Sequence, residues 1–169
     1  MGEYDYTETD IVNYIAEEDF CIYTQHTYTF ADDDKFEKTY TYLNFYSIQQ
    51  DCWQVEKYED IVCLGYYVQD DNFYFIYAED EKSSQMIIAR YAVDKDEMYY
   101  EDKYIIELPA IIHHMKNGGI TNCNDYMVYS QYAAGDEKFY FTVIDKSKNA
   151  VSFSAWAWAK DIEYIVAIE

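Results

Sequence analysis

The chain is short of the residues that usually punctuate a fold and of those that would balance its charge. Among 169 residues there are one proline and five glycines, so tight turns must be built largely from Asp, Asn, Lys and Ser, whose side chains can hydrogen-bond the turn backbone. Leucine occurs only at Leu43, Leu64 and Leu108, against 22 tyrosines and nine phenylalanines. This removes a principal helix former and leaves aromatic and β-branched residues suited to a pleated, half-buried surface. Twelve Lys and Arg face 33 Asp and Glu, a formal charge of −21. Such a charge disfavours nucleic acid or an anionic membrane as a direct ligand and makes a basic protein surface or a cation the natural counterpart. No apolar run approaches the ~20 residues of a membrane-spanning helix.

Catalytic and metal signatures are also missing. There is no GxGxxG, phosphate loop, GxSxG or HExxH pattern, which points to a binding protein and not an enzyme, with no cofactor expected. His26 falls mid-strand among aromatics. His113 and His114 are adjacent and would point about 100° apart on a helix, and neither forms a zinc spacing with Cys123. The acidic turns Asp32-Asp33-Asp34, Asp70-Asp71-Asn72 and Asp94-Lys95-Asp96 lack the alternating loop with central glycine and terminal glutamate of a calcium site, so no metal is expected. Cys21, Cys52, Cys63 and Cys123 form no CxxC pair, and Met1–Asp10 shows no basic region followed by an apolar run. Reduced thiols in a cytoplasm, that of the host cell if the protein is viral, are the corresponding expectation.

What is present is enough to fold. Ile, Val, Leu and Phe are too numerous for a disordered acidic tail, and the length fits a single domain over residues 1–169. Thr7 to Asp19 reads as a short helix, capped at Thr7 or Thr9, with Ile11, Tyr14 and Ile15 on one face. From Phe20 to Phe30 the period becomes two, with Phe20, Ile22, Thr24, His26, Tyr28 and Phe30 on one side. Further strands are expected at 38–48, 52–57, 60–69, 73–79, 85–93, 98–106, 125–133, 139–145, 150–160 and 162–168. A second helix is expected over 110–116 after Pro109, ended by Asn117-Gly118-Gly119. The predicted class is mainly β, a β-rich α+β fold: an antiparallel meander forming a two-layer sandwich or strongly curled sheet with two short helices. Tyr28-Thr29-Phe30, Phe73-Tyr74-Phe75 and Phe139-Tyr140-Phe141 form a faint repeat, and the alternative is a partial propeller-like array of hairpins.

Charge is unevenly distributed. Residues 1–34 hold ten acids and no Lys or Arg, whereas 109–169 hold seven acids and five basic residues. The leading partner-binding candidates are therefore Glu17, Glu18, Asp19, Asp32, Asp33 and Asp34, joined by the turn acids Asp70 and Asp71. Charge reversal of Asp136, Asp145 and Glu163 in the nearly neutral last third is expected to matter less for partner binding than reversal of Glu17, Glu18, Asp32, Asp33 and Asp34. In the run Val151–Ala159, Trp156 and Trp158 alternate with Val151, Phe153, Ala155 and Ala157. If the latter set faces the core, the two tryptophans stand outside as a patch for a partner protein or a sugar. Carboxylates interleaved with tyrosines imitate the phosphate pattern of a nucleic acid and offer aromatic contacts to Arg and Lys. The functional expectation is an acidic inhibitor that occupies the basic, nucleic-acid-binding surface of a nucleic-acid-processing effector, as phage anti-defence proteins of the anti-CRISPR or anti-restriction kind do. An immunity protein against a basic nuclease toxin and a carbohydrate-binding or glycoside-processing β-sandwich are the alternatives. A cytoplasmic protein with free thiols should melt at the same temperature with and without reductant; a large loss of stability on reduction would reveal structural disulfides.

Overall fold

Strand formation follows from consecutive β-prone runs separated by polar turns, and each run pairs with the next in the chain. The computed structural model describes residues 6–17, 19–30, 36–94, 96–108, 119–133, 137–158 and 160. Its first sheet is β1 (Tyr6–Ala16), β2 (Phe20–Phe30), β3 (Phe36–Ser47) and β4 (Cys52–Glu59); its second is β5 (Val62–Gln69), β6 (Asn72–Ala78), β7 (Gln85–Val93) and β8 (Met98–Glu107). The third is β9 (Gly119–Asn122), β10 (Tyr126–Ala133), β11 (Lys138–Asp145) and β12 (Ala150–Trp158). In every sheet the spatial order is the chain order, so each is an open up-and-down meander of four strands. Three such sheets replace the one curled or two packed sheets expected. The three aromatic triplets fall one per sheet, in the second strand of the first two sheets (β2 and β6) but the third strand of the last (β11), so they do not occupy equivalent positions.

The expected helix over Thr7–Asp19 is not formed: Tyr6–Ala16 is strand β1, paired antiparallel with β2 from Tyr6↔Phe30 to Ala16↔Cys21. The register shifts between Ile11 and Asn13, so Val12 is an extra residue in the ladder. A bulge breaks the two-residue alternation midway, and the remaining spacing of Ile11, Tyr14 and Ile15 imitates a helical stripe. Five β-branched residues, Thr7, Thr9, Ile11, Val12 and Ile15, favour the strand. The helix expected at 110–116 and the strand at 162–168 lie outside the described residues. Strand β9 was not anticipated, since four residues in Gly-Ile-Thr-Asn carry too little pattern.

Contacts divide the chain into two compact units. One comprises Met1–Ile61, Asp70–Asn72 and Tyr91–Glu101, the other Val62–Gln69, Phe73–Arg90 and Asp102–Glu169. In the first, the alternation of β2 places Ile22 and Thr24 opposite Phe45 and Leu43 of β3 on one buried face. In the second, Leu64, Tyr67, Ile76, Met86, Ile88, Ile106, Met127, Tyr129 and Ile144 form one apolar cluster drawn from two sheets. Burial raises the Cys63 thiol to about 12 and the Tyr129 hydroxyl to about 12, so neither ionises near neutral pH. All four cysteines are free.

Gly65 marks the close approach of β5 to β9. Its φ is +155°, and a Cβ there would lie 3.2 Å from Ile120 Cδ1 and 3.5 Å from Ile120 Cβ. The backbone angle is one that L residues rarely adopt, and a Cβ there would press on the end of the Ile120 side chain. Gly65→Ala should therefore destabilise the protein by about 1–3 kcal/mol, measured by urea denaturation; an unchanged midpoint would contradict this packing.

Candidate functional site

In an up-and-down meander, alternate turns lie at the same end of the sheet. The β1–β2 and β3–β4 turns thus share one end of the first sheet, and the β5–β6 and β7–β8 turns share one end of the second. Within the first compact unit these four turns are tied to one another. Ile48 N–H donates to Asp19 O at 2.8 Å, and Gln49 Nε2 to Asp19 Oδ1 at 2.9 Å. The neighbouring Gln50 Nε2 donates to Asp96 Oδ1 at 3.1 Å, and Met98 N–H to Gln54 Oε1 at 2.7 Å. Val93 N–H donates to Asp71 O at 3.0 Å, which attaches the β5–β6 turn. The result is an acidic rim of Glu17, Asp19, Asp51, Asp70, Asp71, Asp94, Asp96 and Glu97, all exposed or half-buried. The sequence of these turns holds one basic residue, Lys95, between Asp94 and Asp96.

The rim's backbone chemistry answers the shortage of glycine. Asp70 and Asp71 form a two-residue hairpin loop with φ of 50° and 58°, and Asp51 has φ 50°. Both central positions of such a loop require left-handed backbone, for which Asn-Gly is the preferred pair. Aspartate tolerates that conformation better than most residues, and here it brings two carboxylates to the tip. Asp94 turns its carboxylate inward, accepting from Asp96 N–H at 2.7 Å and Glu97 N–H at 3.0 Å. Asp51 accepts from Tyr46 Oη at 2.6 Å, and this bond raises the Tyr46 hydroxyl above its ordinary value.

Of the residues singled out from the sequence, Glu17, Asp19, Asp70 and Asp71 are brought together on this rim. Glu18, Asp32, Asp33 and Asp34 lie outside the described residues. Asp51, Asp94, Asp96 and Glu97 were not singled out as partner-binding, although the parity of turns in a meander would have gathered them. Trp53 was also missed. It is 54% exposed, lies against Tyr46 at a 34° tilt with ring centroids 4.5 Å apart and meets Tyr23 edge-on at 5.8 Å. Its alternation with Cys52 and Gln54 in β4 was the available signal.

Trp156 and Trp158 belong to the second unit and are 52% and 42% exposed. They are exposed, but on the face that carries the core and not on the opposite one. β11 and β12 pair as Tyr140↔Trp156 and Lys138↔Trp158, but the register shifts between Val143↔Phe153 and Ile144↔Val151, leaving Ser152 as an extra residue. The tryptophans therefore share a sheet face with Thr142, Ile144, Tyr129 and Met127, which are buried. They continue the inner face outward beyond the core along the edge strand. Phe153 lies on the opposite face and is 58% exposed. The indoles stand at 83° with centroids 5.5 Å apart, and Lys138 Nζ lies 4.3 Å from one ring centre and 4.8 Å from the other.

A cleft of about 300 Å³ is lined by Val68, Gln69, Asn122, Cys123, Asn124, Asp125 and Lys146. Lys146 Nζ donates to Cys123 O at 2.6 Å and Asn124 O at 2.9 Å and lies over the Tyr67 ring at 4.9 Å. Burial lowers its pKa, and its polar contacts close the β9–β10 turn. Among the described residues no group of His, Cys, Asp and Glu converges as a metal site, and no helix is long and apolar enough to cross a membrane. Comparison of the chain with protein-family models, curated proteins and solved structures finds no match.

Asp145, weighed from the sequence only for its effect on partner binding, has a structural role. It is 7% exposed and organises the β11–β12 turn, accepting from Lys148 Nζ, from Ser147 Oγ at 2.6 Å and from Ser147 N–H at 3.0 Å. The Lys148 ammonium and then the Ser147 hydroxyl hold its carboxyl down at about 2. Because the folded value lies below the ordinary ~4, its stabilisation is present above pH ~4 and is lost as pH falls towards 2. An NMR titration should find the Asp145 midpoint near 2, and Asp145→Asn should remove this part of the acid limb; a midpoint near 4 would show the turn bonds to be absent in solution.

Proposed function

We propose that the protein is a non-enzymatic acidic binding protein whose rim occupies the basic, nucleic-acid-binding surface of a target protein, in the manner of a nucleic-acid-mimicking inhibitor acting in the cytoplasm. The observation that carries this reading is the gathering of acidic turns at one end of the first unit, where the sequence of those turns sets eight described carboxylates against one lysine, Lys95. Carboxylates held by hairpin tips and bridging glutamine side chains form a semi-rigid array, and a preordered array loses less entropy on binding than free side chains do. A lopsided negative field also raises association rates with a basic surface. Trp53 adds an exposed ring in the same unit, backed by half-buried Tyr46 and Tyr23 and fit for Arg stacking. The steep angle between Trp156 and Trp158 makes no single flat platform for a sugar, so the carbohydrate reading has no comparable support.

The test uses neutral substitutions that preserve the turns. Glu17→Gln with Asp70→Asn and Asp71→Gly removes three rim charges, and the Asn-Gly pair should stabilise the hairpin by about 0.5–1 kcal/mol. Glu56→Gln, Glu79→Gln and Glu107→Gln remove three charges elsewhere. A partner captured from the native host at low salt should be released as salt rises. With that partner purified, the rim variant should associate about tenfold more slowly at low ionic strength while the control stays within about threefold of the parent. Equal behaviour of the two triple variants, or capture insensitive to salt, would refute occupation of a basic surface by the rim.

A further inference from the structure

We infer that the Trp156–Trp158 corner is a cation-binding aromatic site, held in the resting protein by the chain's own Lys138, and that its external ligand is a lysine side chain of a basic partner protein. The identity of the partner rests on the reading above; the site itself does not. Three features converge in the second unit. The indoles are near-perpendicular walls 5.5 Å apart, an arrangement that surrounds a compact cation and does not stack a flat ring. Both remain about half exposed, so the corner is open from solvent. An ammonium already occupies it, since Lys138 Nζ is within 5 Å of both ring centres. The resident group shows which chemistry the corner accepts, because the negative π faces of two indoles attract a positive charge and tryptophan does so best.

The cross-strand register explains why Lys138 is the occupant: it sits directly opposite Trp158 on the neighbouring strand. Beside the corner, Tyr132, Glu137, Trp158 and Lys160 line a cleft of about 240 Å³, which provides space for the Lys138 side chain to leave. β12 itself, from Ala150 to Trp158, carries no charged residue in a chain of formal charge −21. An uncharged edge strand is a surface at which a partner approaches without desolvating fixed charges. A lysine from a basic partner meets the same two indoles and must displace Lys138, so the resident lysine lowers the apparent affinity by the fraction of time it holds the corner.

The test uses choline as the cation and 3,3-dimethylbutan-1-ol as its uncharged isostere, titrated into the full chain at constant ionic strength. The indole N–H signals of Trp156 and Trp158 are followed by NMR, with Trp53 as internal reference. Choline should shift the signals of Trp156 and Trp158 saturably, and the isostere should not. Lys138→Met should tighten choline binding by about two- to fivefold, the range expected for removing one exposed cation–π competitor. Trp158→Phe, which keeps a ring but weakens the π attraction, should weaken binding in the Lys138→Met background, and the unchanged remainder of the amide spectrum verifies the fold. Equal shifts by the isostere would show a merely apolar patch, and no tightening on Lys138→Met would show that Lys138 is not the occupant; either result overturns the proposal. Choline is monovalent and needs no partner, so these outcomes are separate from the salt-sensitive capture that tests the rim.

Discussion

Antiparallel pairing between strands adjacent in the chain is the interaction on which the other features depend. Each of the three sheets is assembled from hairpins, so every ladder closes over a short loop and the entropy lost in bringing strands together is small. The same pairing sets the two surfaces that matter for function. It sends alternate turns to one end, which collects acidic residues from distant parts of the chain. It also sets Lys138 opposite Trp158 and Tyr140 opposite Trp156, placing a cation between two indoles.

Electrostatics works against this fold, and the distribution of charge shows how the opposition is contained. A net charge of −21 favours expansion, yet the rim carboxylates sit on turns, where water screens them and their neighbours are hydrogen-bond donors. Asp19, Asp51, Asp94 and Asp96 each accept from a side chain or backbone amide. Where a carboxylate is buried, as at Asp145, a lysine and a serine of its own turn compensate it. Buried Lys146 is satisfied by two carbonyl oxygens. Charge is thus compensated within hairpin loops at Asp145 and Lys146, and between strands where Arg90 pairs with Asp102 and Lys38 with Glu59.

Two extra residues account for two local differences between pattern and structure. At Val12 a bulge disguised a strand as an amphipathic helix. At Ser152 another bulge turned Val151 to the tryptophan side. A single inserted residue inverts every side chain beyond it relative to the partner strand. Nothing in the local composition around Val12 or Ser152 announces such an insertion, because bulges are selected by the ladder on the facing strand.

The amino-acid sequence by itself determined the β class, nearly all strand positions from Phe20 onward and the use of aspartate in place of glycine in turns. These follow from side-chain period, β-branching and backbone tolerance, all of which act within a few residues. It also made the exposed character of Asp70 and Asp71 legible, since an Asp-Asp pair between two apolar runs has little alternative to a hairpin tip. Only the tertiary structure decided that Asp19, Asp51 and Asp96 are linked, that Asp145 is buried and structural, and that Trp156 and Trp158 enclose Lys138. Each of these depends on register and on which turns meet, and those are set by pairing between segments whose separation along the chain no local pattern encodes.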